Sequence, residues 1–265
     1  MTRLLTEKQR LRYLNDGIVF PVTVLSPEEA QRYRLACDLL EADLGGKPRT
    51  IEVRQMHLHF QWAFELATHP CILDAVEDLL GPDLLIWTTE LFAKHPQDAT
   101  VSIGWHRDAS YMGIAGKSTT AWIALSDSTV SNGCMRAVPG SGCQADIAAG
   151  PAPHAPTEVN EQDAVAVRLT AGEMSLHNAY ILHGSAPNRS QEKRVGFVVR
   201  FVTPETCPLA GRPPVILARG TDRQNHFHIV DPPAESNSAR ALAQMKESAA
   251  LHLEGMLQNL RRSVP

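Results

Sequence analysis

Two stretches of this chain carry the pattern from which its fold can be predicted. Residues 100–108 read TVSIGWHRD, and residues 175–201 read SLHNAYILHGSAPNRSQEKRVGFVVRF. Both contain short apolar runs that stop at polar or turn-forming residues, which is typical of strands in an all-β sandwich or barrel. The same pattern extends through the region between them. Strands are predicted at 84–93, 99–106, 119–126, 134–138, 164–169, 173–183 and 194–202.

Helical signals flank this β region. Helices are predicted at 6–15, 26–44 and 69–80, with a strand at 17–25 and an alternating, strand-like segment at 51–60. The second of these helices has the clearest start, because Ser26 suits an N-cap, Pro27 suits the first helical position and two glutamates follow. The predicted fold class is therefore mainly β with flanking helices.

The length of 265 residues suits a single domain spanning 1–265. Its predicted parts are a helical N-terminal part (1–83), a β core (84–202), a proline-rich lid loop (203–235) and a C-terminal amphipathic helix (236–262). The third part is interpreted as a lid because loops of that length within a domain are usually lids or binding loops.

The composition argues against several classes of partner. A net charge of −4 gives no basic surface for nucleic acid or for an anionic membrane. The first residues lack the apolar run of a secretory signal, and no stretch approaches the roughly 18 apolar residues of a membrane helix. The five cysteines form no C-x-x-C pair, which indicates a reduced compartment. We expect a cytoplasmic protein without nucleic-acid or membrane partners; its oligomeric state stays open, a homodimer included.

The two opening stretches also contain candidate metal ligands. His106 and Asp108 close a predicted strand, on which residues two apart share a face. His183 follows about 75 residues later, between a predicted strand and a turn. Two imidazoles and one carboxylate can bind one face of an octahedral metal, as in non-haem Fe(II) oxygenases. His177, six residues before His183, is the weaker candidate.

Three other pairs with the same two-residue spacing compete for a metal. They are His57/His59, His226/His228 and His252/Glu254. The last pair lies in the predicted C-terminal helix, where residues two apart face different ways. The two histidine pairs lack a glutamate four or five residues later, which a cupin-type metal site would need. We assign the pair at 57 and 59 to a hypothetical substrate surface and the pair at 226 and 228 to the lid.

The strand after His183 offers an anion site. With period two, Arg194, Gly196 and Arg200 share one face of the predicted strand, and its apolar residues share the other. A planar guanidinium suits a carboxylate, and the glycine leaves room beside it. The same face could instead be a solvated sheet surface.

Taken together, an H-x-D motif, a distant histidine and an arginine eleven residues after it resemble the phytanoyl-CoA dioxygenase family. The resemblance covers about residues 50–230 and includes HPCILDAVEDLLGPDLLIW, LFAKHP, WHRD, AWIALSDST, NGCMRAVPGS, GEMSLHNAYILHGSAPNRS, RVGFVVRF and ARGTDRQNHF. It implies a double-stranded β-helix (jelly-roll, cupin-like) core. It also implies Fe(II) ligands at His106, Asp108 and His183, and Arg194 as the partner of the 2-oxoglutarate C5 carboxylate. Ser185 and Trp122 match positions that help to form the co-substrate pocket.

The resemblance implies an Fe(II)/2-oxoglutarate-dependent oxygenase that converts 2-oxoglutarate and O₂ to succinate and CO₂. Halogenating relatives have a small residue where this chain has Asp108, so the carboxylate indicates hydroxylation, ring closure or desaturation. A small-molecule biosynthetic intermediate is the preferred substrate class. The hypothetical substrate residues are His57, Lys94, His154 and Arg200.

Four alternatives remain at this stage. A cupin-like metalloenzyme independent of 2-oxoglutarate would not need Arg194, and an acyl-CoA hydroxylase would share the iron site but not the substrate. A non-enzymatic ligand-binding barrel would have no reason to retain all three metal ligands. A self-associating module could use the C-terminal helix, but that leaves the buried polar residues unexplained.

Overall fold

The structure, a computed structural model, describes residues 3–48, 52–142, 159–233, 239–248 and 250. Its helices are α1 (Glu7–Asp16), α2 (Pro27–Asp43), α3 (Gln61–Ala67), α4 (Pro70–Leu80) and α5 (Ala109–Met112). Its strands are β1 (Ile18–Thr23), β2 (Leu84–Lys94), β3 (Ile103–His106), β4 (Ile114–Ala115), β5 (Ser118–Ala124), β6 (Met135–Ala137), β7 (Val165–Val167), β8 (Glu173–Asn178), β9 (His183–Ser185), β10 (Arg194–Val202), β11 (Cys207–Pro208), β12 (Pro214–Arg219) and β13 (His228–Ile229).

Two sheets form the core of the molecule. The major sheet has the order β1-β8-β5-β10-β2-β12-β13, and the minor sheet has the order β3-β9-β6-β7. Within them every neighbouring pair is antiparallel except β12 with β13. Most neighbouring strands are non-consecutive in the chain, as in a jelly roll; the exceptions are β12 with β13 and β6 with β7. The predicted fold class is confirmed, as an open pair of sheets and not a closed barrel.

The first two helices begin where their capping residues predict. Thr6 accepts a hydrogen bond from the Gln9 backbone, and Ser26 accepts one from the Glu29 backbone. In turn, the side chains of Gln9 and Glu29 accept hydrogen bonds from the backbone N–H groups of Thr6 and Ser26. Such capping boxes satisfy backbone donors that a helix start leaves free. These helices and α3 and α4 bring apolar residues onto one face of the major sheet, where the main hydrophobic core lies.

Strand β10 shows how the sheet separates core from cavity. Val195, Phe197 and Val199 belong to the main core. The alternate residues Arg194, Val198 and Arg200 line a cavity between the sheets. This two-residue period follows from the pleat of a strand. The strand pairs with β2 on one side and β5 on the other, so its cavity face forms the floor of the candidate site.

Two predicted strands differ from the structure. Residues 51–60 form no strand within their described part; instead, Met56–Leu58 is a 3₁₀ helix. The predicted strand at 173–183 is two strands, because the Asn178 side chain accepts hydrogen bonds from the Tyr180 and Ile181 backbones and turns the chain. This turn transfers the chain from the major sheet to the minor sheet.

The predicted lid is partly structured. Within 203–235, β12 adds to the major sheet beside β2, so this part of the segment is a sheet strand. Residues 239–248 and 250 are helical, and they are the described portion of the predicted C-terminal helix. Among the described residues, no helix is long and apolar enough to cross a membrane.

Candidate active site

His106 and His183 meet at the edge where β3 pairs with β9. They are direct partners in the ladder, and their ring centroids lie 4.2 Å apart. Each Nδ1 lies within hydrogen-bond distance of the carbonyl two residues earlier, 2.9 Å for His106 and 3.1 Å for His183. A carbonyl can only accept, so Nδ1 carries the proton and the lone pair of Nε2 is free for a metal.

Asp108 completes a three-ligand cluster by a different route from the one predicted. Its backbone is helical and it precedes α5, so it does not share a strand face with His106. A strand-to-helix turn brings it in, held where Ala109 N donates to Ala179 O and Arg107 donates to Tyr180 O. The ligand atoms of His106, Asp108 and His183 all lie within 4.8 Å of one another.

The charge states of this cluster suit a divalent cation. Burial would raise the pKa of Asp108, but Arg200 and His106 outweigh it and hold that pKa well below its usual range. Burial and the nearby His106 lower the pKa of His183, which is therefore neutral. Burial alone would lower the pKa of His106, but the hydrogen bond and charge of Asp108 raise it. A metal would meet one carboxylate and two imidazoles. At low pH His106 is protonated, so metal binding there would require the release of that proton.

Arg194 lies at the far end of the same cavity. It is 2 % exposed, and its guanidinium donates to Gly133 O, while Nε has no hydrogen-bond partner in the described structure. The Trp122 ring covers it, with the guanidinium carbon 5.2 Å from the ring centroid. The space beside Gly196 is filled by that ring, since an added Cβ would lie 2.0 Å from Trp122 Cζ2. A buried donor without a partner fits a carboxylate ligand at this end.

Lys94 adds a second cation beside Arg194, its direct partner in the β2–β10 register. Its ammonium donates to Ser185 Oγ at 2.7 Å and also to the carbonyls of Gly133 and Ala186. Burial, followed by the charge of Arg194, lowers the pKa of Lys94 to about 7. Because Ser185 Oγ accepts from Lys94, its own hydroxyl proton remains available to a ligand.

These features can bind a metal at one end of the cavity and a dianion between the metal and Arg194. Comparison with known proteins agrees with this arrangement, since the family model of phytanoyl-CoA dioxygenases matches residues 13–196. The chain belongs to this family. The predicted resemblance is therefore confirmed, over a range that includes the three candidate ligands and Arg194.

Individual relatives of this phytanoyl-CoA dioxygenase family member include several oxygenases. A probable alpha-ketoglutarate-dependent hypophosphite dioxygenase of Stutzerimonas stutzeri is 28% identical over 171 residues, covering 60% of this chain and 59% of that protein. The chain thus spans less than two thirds of that curated relative. Among solved structures, the apo non-heme monooxygenase ThoJ is 33% identical, with a TM-score of 0.85 over 96% of this chain and 99% of ThoJ.

A second solved structure is the non-heme alpha ketoglutarate dependent carbocyclase SnoK from nogalamycin biosynthesis. It is 26% identical, with a TM-score of 0.64 over 77% of this chain and 86% of SnoK. Both solved structures share the two-sheet fold with this chain.

The structure places the four predicted substrate residues in different surroundings. His57 is buried behind β2, where it contacts Thr89 at 3.1 Å, and it does not line the cavity. Thr89 faces away from the cavity because it alternates with Glu90. Arg200 lines the cavity, but its guanidinium is directed at Asp108, and Lys94 lies at the Arg194 end. His154 lies outside the described residues.

His177, the weaker candidate by sequence, lines the cavity beside His183, with ring centroids 4.9 Å apart. Burial lowers its pKa to about 4, so the ring is neutral. Neither ring nitrogen has a hydrogen-bond partner in the described structure. Buried polar atoms are usually paired. Its position on β8 and its two free nitrogens therefore indicate contact with a ligand in the cavity.

Sequence reasoning missed Glu90 and Thr120. Thr120 donates to Asp108 Oδ2 at 3.3 Å, and Glu90 Oε1 lies 2.9 Å from Arg200 Nη1. One signal was available, because Glu90 interrupts the apolar run LLIWTTELF of a buried strand. A buried carboxylate on such a strand requires a cation nearby. Thr120 has no comparable signal, since threonine is common in strands.

Proposed function

We propose that this chain is an Fe(II)/2-oxoglutarate-dependent oxygenase that oxidises an unactivated C–H bond of a small molecule. One observation carries the proposal: the ligand atoms of two histidines and a carboxylate converge within 4.8 Å in a cavity that is also lined by a buried arginine, whose Nε has no hydrogen-bond partner in the described structure. The arrangement matches the requirement for three protein ligands on one face of an octahedral metal. The family membership and the oxygenase relatives support the same assignment.

In this proposal, His106, Asp108 and His183 hold Fe(II), and Arg194 binds the C5 carboxylate of 2-oxoglutarate with help from Ser185. Trp122 limits the movement of Arg194, which favours one position of the carboxylate. Bound Fe(II) would supply the redox chemistry by which 2-oxoglutarate and O₂ become succinate and CO₂ while the substrate is oxidised. The chain supplies the metal ligands, and Arg194 and Ser185 fix the position of the co-substrate.

Lys94 fits the co-substrate end better than the substrate surface. Its ammonium donates to Ser185 at 2.7 Å and it faces Arg194 across the ladder. We therefore assign Lys94 to the charge balance of the 2-oxoglutarate carboxylate. Arg200 is likewise assigned to Asp108 and not to substrate.

Two features favour hydroxylation, ring closure or desaturation as the outcome. The third metal ligand is the carboxylate of Asp108, so no ligand position is left for a halide as in halogenating relatives. ThoJ is described as a non-heme monooxygenase and SnoK as a carbocyclase of nogalamycin biosynthesis. We propose a small-molecule biosynthetic intermediate as the substrate class on this similarity.

The test is an anaerobic titration of the metal-free protein with Fe(II) and then 2-oxoglutarate, followed by visible absorption. A weak charge-transfer band that requires both additions is expected, because 2-oxoglutarate chelates the metal in this class of site. His183→Ala and Arg194→Ala should each abolish or weaken the band, whereas Arg189→Ala, on an exposed residue of the same loop region, should not. Iron binding without a 2-oxoglutarate band would favour the cupin-like metalloenzyme instead.

A further inference from the structure

A chain of four buried or half-buried charges leads from Asp108 through Arg200 and Glu90 to Arg54, beside β2. Arg200 Nε lies 3.1 Å from Asp108 Oδ2, and Arg200 Nη2 lies 3.3 Å from Asp108 Oδ1. Arg200 Nη1 lies 2.9 Å from Glu90 Oε1, and Arg54 Nη2 lies 3.1 Å from the same oxygen. The two carboxylates and two guanidiniums balance one another before any metal is bound.

The two oxygens of Asp108 have different surroundings. Oδ2 accepts from Thr120 Oγ1 at 3.3 Å as well as from Arg200 Nε. Oδ1 lies 3.6 Å from His106 Nε2 and receives only the longer contact from Arg200. Two donors therefore hold Oδ2 on the protein side, and Oδ1 is the oxygen that faces His106 Nε2.

We infer that Arg200 and Thr120 restrict Asp108 to single-oxygen coordination of the metal, and that Arg200 is a positioning residue. This inference rests on the proposed function. An octahedral metal with three protein donors has three further positions, of which a chelating co-substrate takes two. If both oxygens of Asp108 bound the metal, the last position would be taken and a diatomic ligand would be excluded.

The positive charge of Arg200 also bears on how the site binds metal and co-substrate. Replacing Arg200 by a neutral residue removes one positive charge next to the metal ligands and leaves Asp108 Oδ2 without its shorter Arg200 contact. Both changes favour a divalent cation, since opposite charges attract strongly in a buried site. The same changes disfavour 2-oxoglutarate, because a dianion then enters a more negative cavity. Replacement of Arg200 is therefore predicted to strengthen metal binding and to weaken 2-oxoglutarate binding.

The contact with Glu90 explains how the position of Arg200 is fixed. A guanidinium that met only Asp108 could swing with it towards a metal. Glu90 is 1 % exposed and forms an ion pair with Arg200 from the neighbouring strand, and the same carboxylate oxygen also pairs with Arg54. A planar guanidinium bridging two carboxylates has little freedom to move. The strand pairing of β10 with β2 therefore sets the orientation of Asp108.

The experiment compares Arg200→Gln, Thr120→Val and Thr120→Ser with the wild-type chain. Metal affinity is measured with Mn(II), and 2-oxoglutarate affinity is measured by the anaerobic Fe(II) absorption band. The metal position left for a diatomic ligand is probed by the electron paramagnetic resonance signal of nitric oxide on the Fe(II)–2-oxoglutarate complex. Arg200→Gln should bind Mn(II) at least as tightly as wild type, and 2-oxoglutarate about tenfold more weakly. It should also give a smaller nitric oxide signal. Thr120→Val should shift in the same direction by less, and Thr120→Ser should match wild type because it keeps the hydroxyl.

Two results would overturn the inference. One is an unchanged nitric oxide signal and 2-oxoglutarate affinity in both Arg200→Gln and Thr120→Val. The other is a parallel loss of metal and 2-oxoglutarate binding in Thr120→Val, which indicates a purely structural role. If Arg200→Gln does not fold, Thr120→Val against Thr120→Ser decides alone. Failure of the proposed function is distinct, because the wild-type chain would then give no 2-oxoglutarate-dependent band.

Discussion

His106 and His183 are direct partners across two strands of the minor sheet, and their rings lie 4.2 Å apart. The β3–β9 ladder therefore fixes the distance between the two candidate nitrogen ligands before a metal binds. Asp108 reaches the same point from a turn that two further hydrogen bonds hold. A site fixed in this way loses little conformational entropy when it binds a metal.

Removal of one ligand should therefore abolish tight metal binding without unfolding the chain. Changes to residues behind a metal ligand typically reduce affinity 10- to 100-fold, so His183→Ala should exceed about 100-fold. Equilibrium dialysis with Mn(II) measures this. His228→Ala is the matched control, because His228 is exposed on β13. Equal affinity of the two variants would refute the ligand assignment.

Lys94 should couple 2-oxoglutarate binding to proton uptake. Its pKa is lowered to about 7, so the amine is mostly neutral at pH 8. A carboxylate bound nearby raises that pKa and draws a proton from solution. Calorimetry of 2-oxoglutarate binding to the Mn(II)-loaded protein, in buffers of different ionisation enthalpy, counts these protons. We expect uptake at pH 8 in the wild-type chain and none in Lys94→Met.

The same shift predicts a pH dependence of stability. The unfolded chain binds a proton at Lys94 up to a pKa of about 10.5, whereas the folded chain releases it above about 7. Between these values the unfolded state holds more protons, so Lys94 makes the free energy of unfolding rise with pH. Urea unfolding of Lys94→Met between pH 7 and 10 should lack this contribution. An identical slope in both chains would show that Lys94 is not shifted.

Gly196 should be required for the contact between Trp122 and Arg194. A Cβ at Gly196 would lie 2.0 Å from Trp122 Cζ2, so the ring has to move in Gly196→Ala. Overpacking of this kind costs about 1–3 kcal/mol of stability. The 2-oxoglutarate affinity should fall as well, because Arg194 loses its covering ring. Gly104→Ala is the control, since a Cβ there meets nothing within 4 Å. Similar behaviour of the two variants would contradict this account.

His177 should lower the free energy of unfolding and contribute a hydrogen bond to a bound ligand. Both its ring nitrogens are buried without hydrogen-bond partners, so His177→Leu should raise the free energy of unfolding by about 1 kcal/mol. The same variant should bind 2-oxoglutarate or turn over substrate up to about tenfold less well, because one hydrogen bond to the ligand is lost. His177→Asn retains polar atoms and should recover part of the function. A His177→Leu chain with wild-type function would show that His177 contacts no ligand.

The sequence predicted the fold class because strand and helix signals are local. The capping residues Thr6 and Ser26 place two helix starts, and the alternation after Arg194 separates core from cavity along β10. The prediction of a strand at 51–60 was wrong, because alternation of residue types over a few positions does not distinguish a strand from a 3₁₀ turn packed against β2. His57, which was assigned to a hypothetical substrate surface, is buried beside Thr89 and does not line the cavity.

By itself, the sequence determined the residue types of the candidate site and the family to which the chain belongs. H-x-D, a distant histidine and an arginine eleven residues later are readable without coordinates. Only the tertiary structure decided which charges meet. Arg200 contacts Asp108 and Glu90, which precede it in the chain by 92 and 110 residues. Strand pairing brings such residues together, and pairing between distant segments depends on the register of whole sheets and not on local sequence.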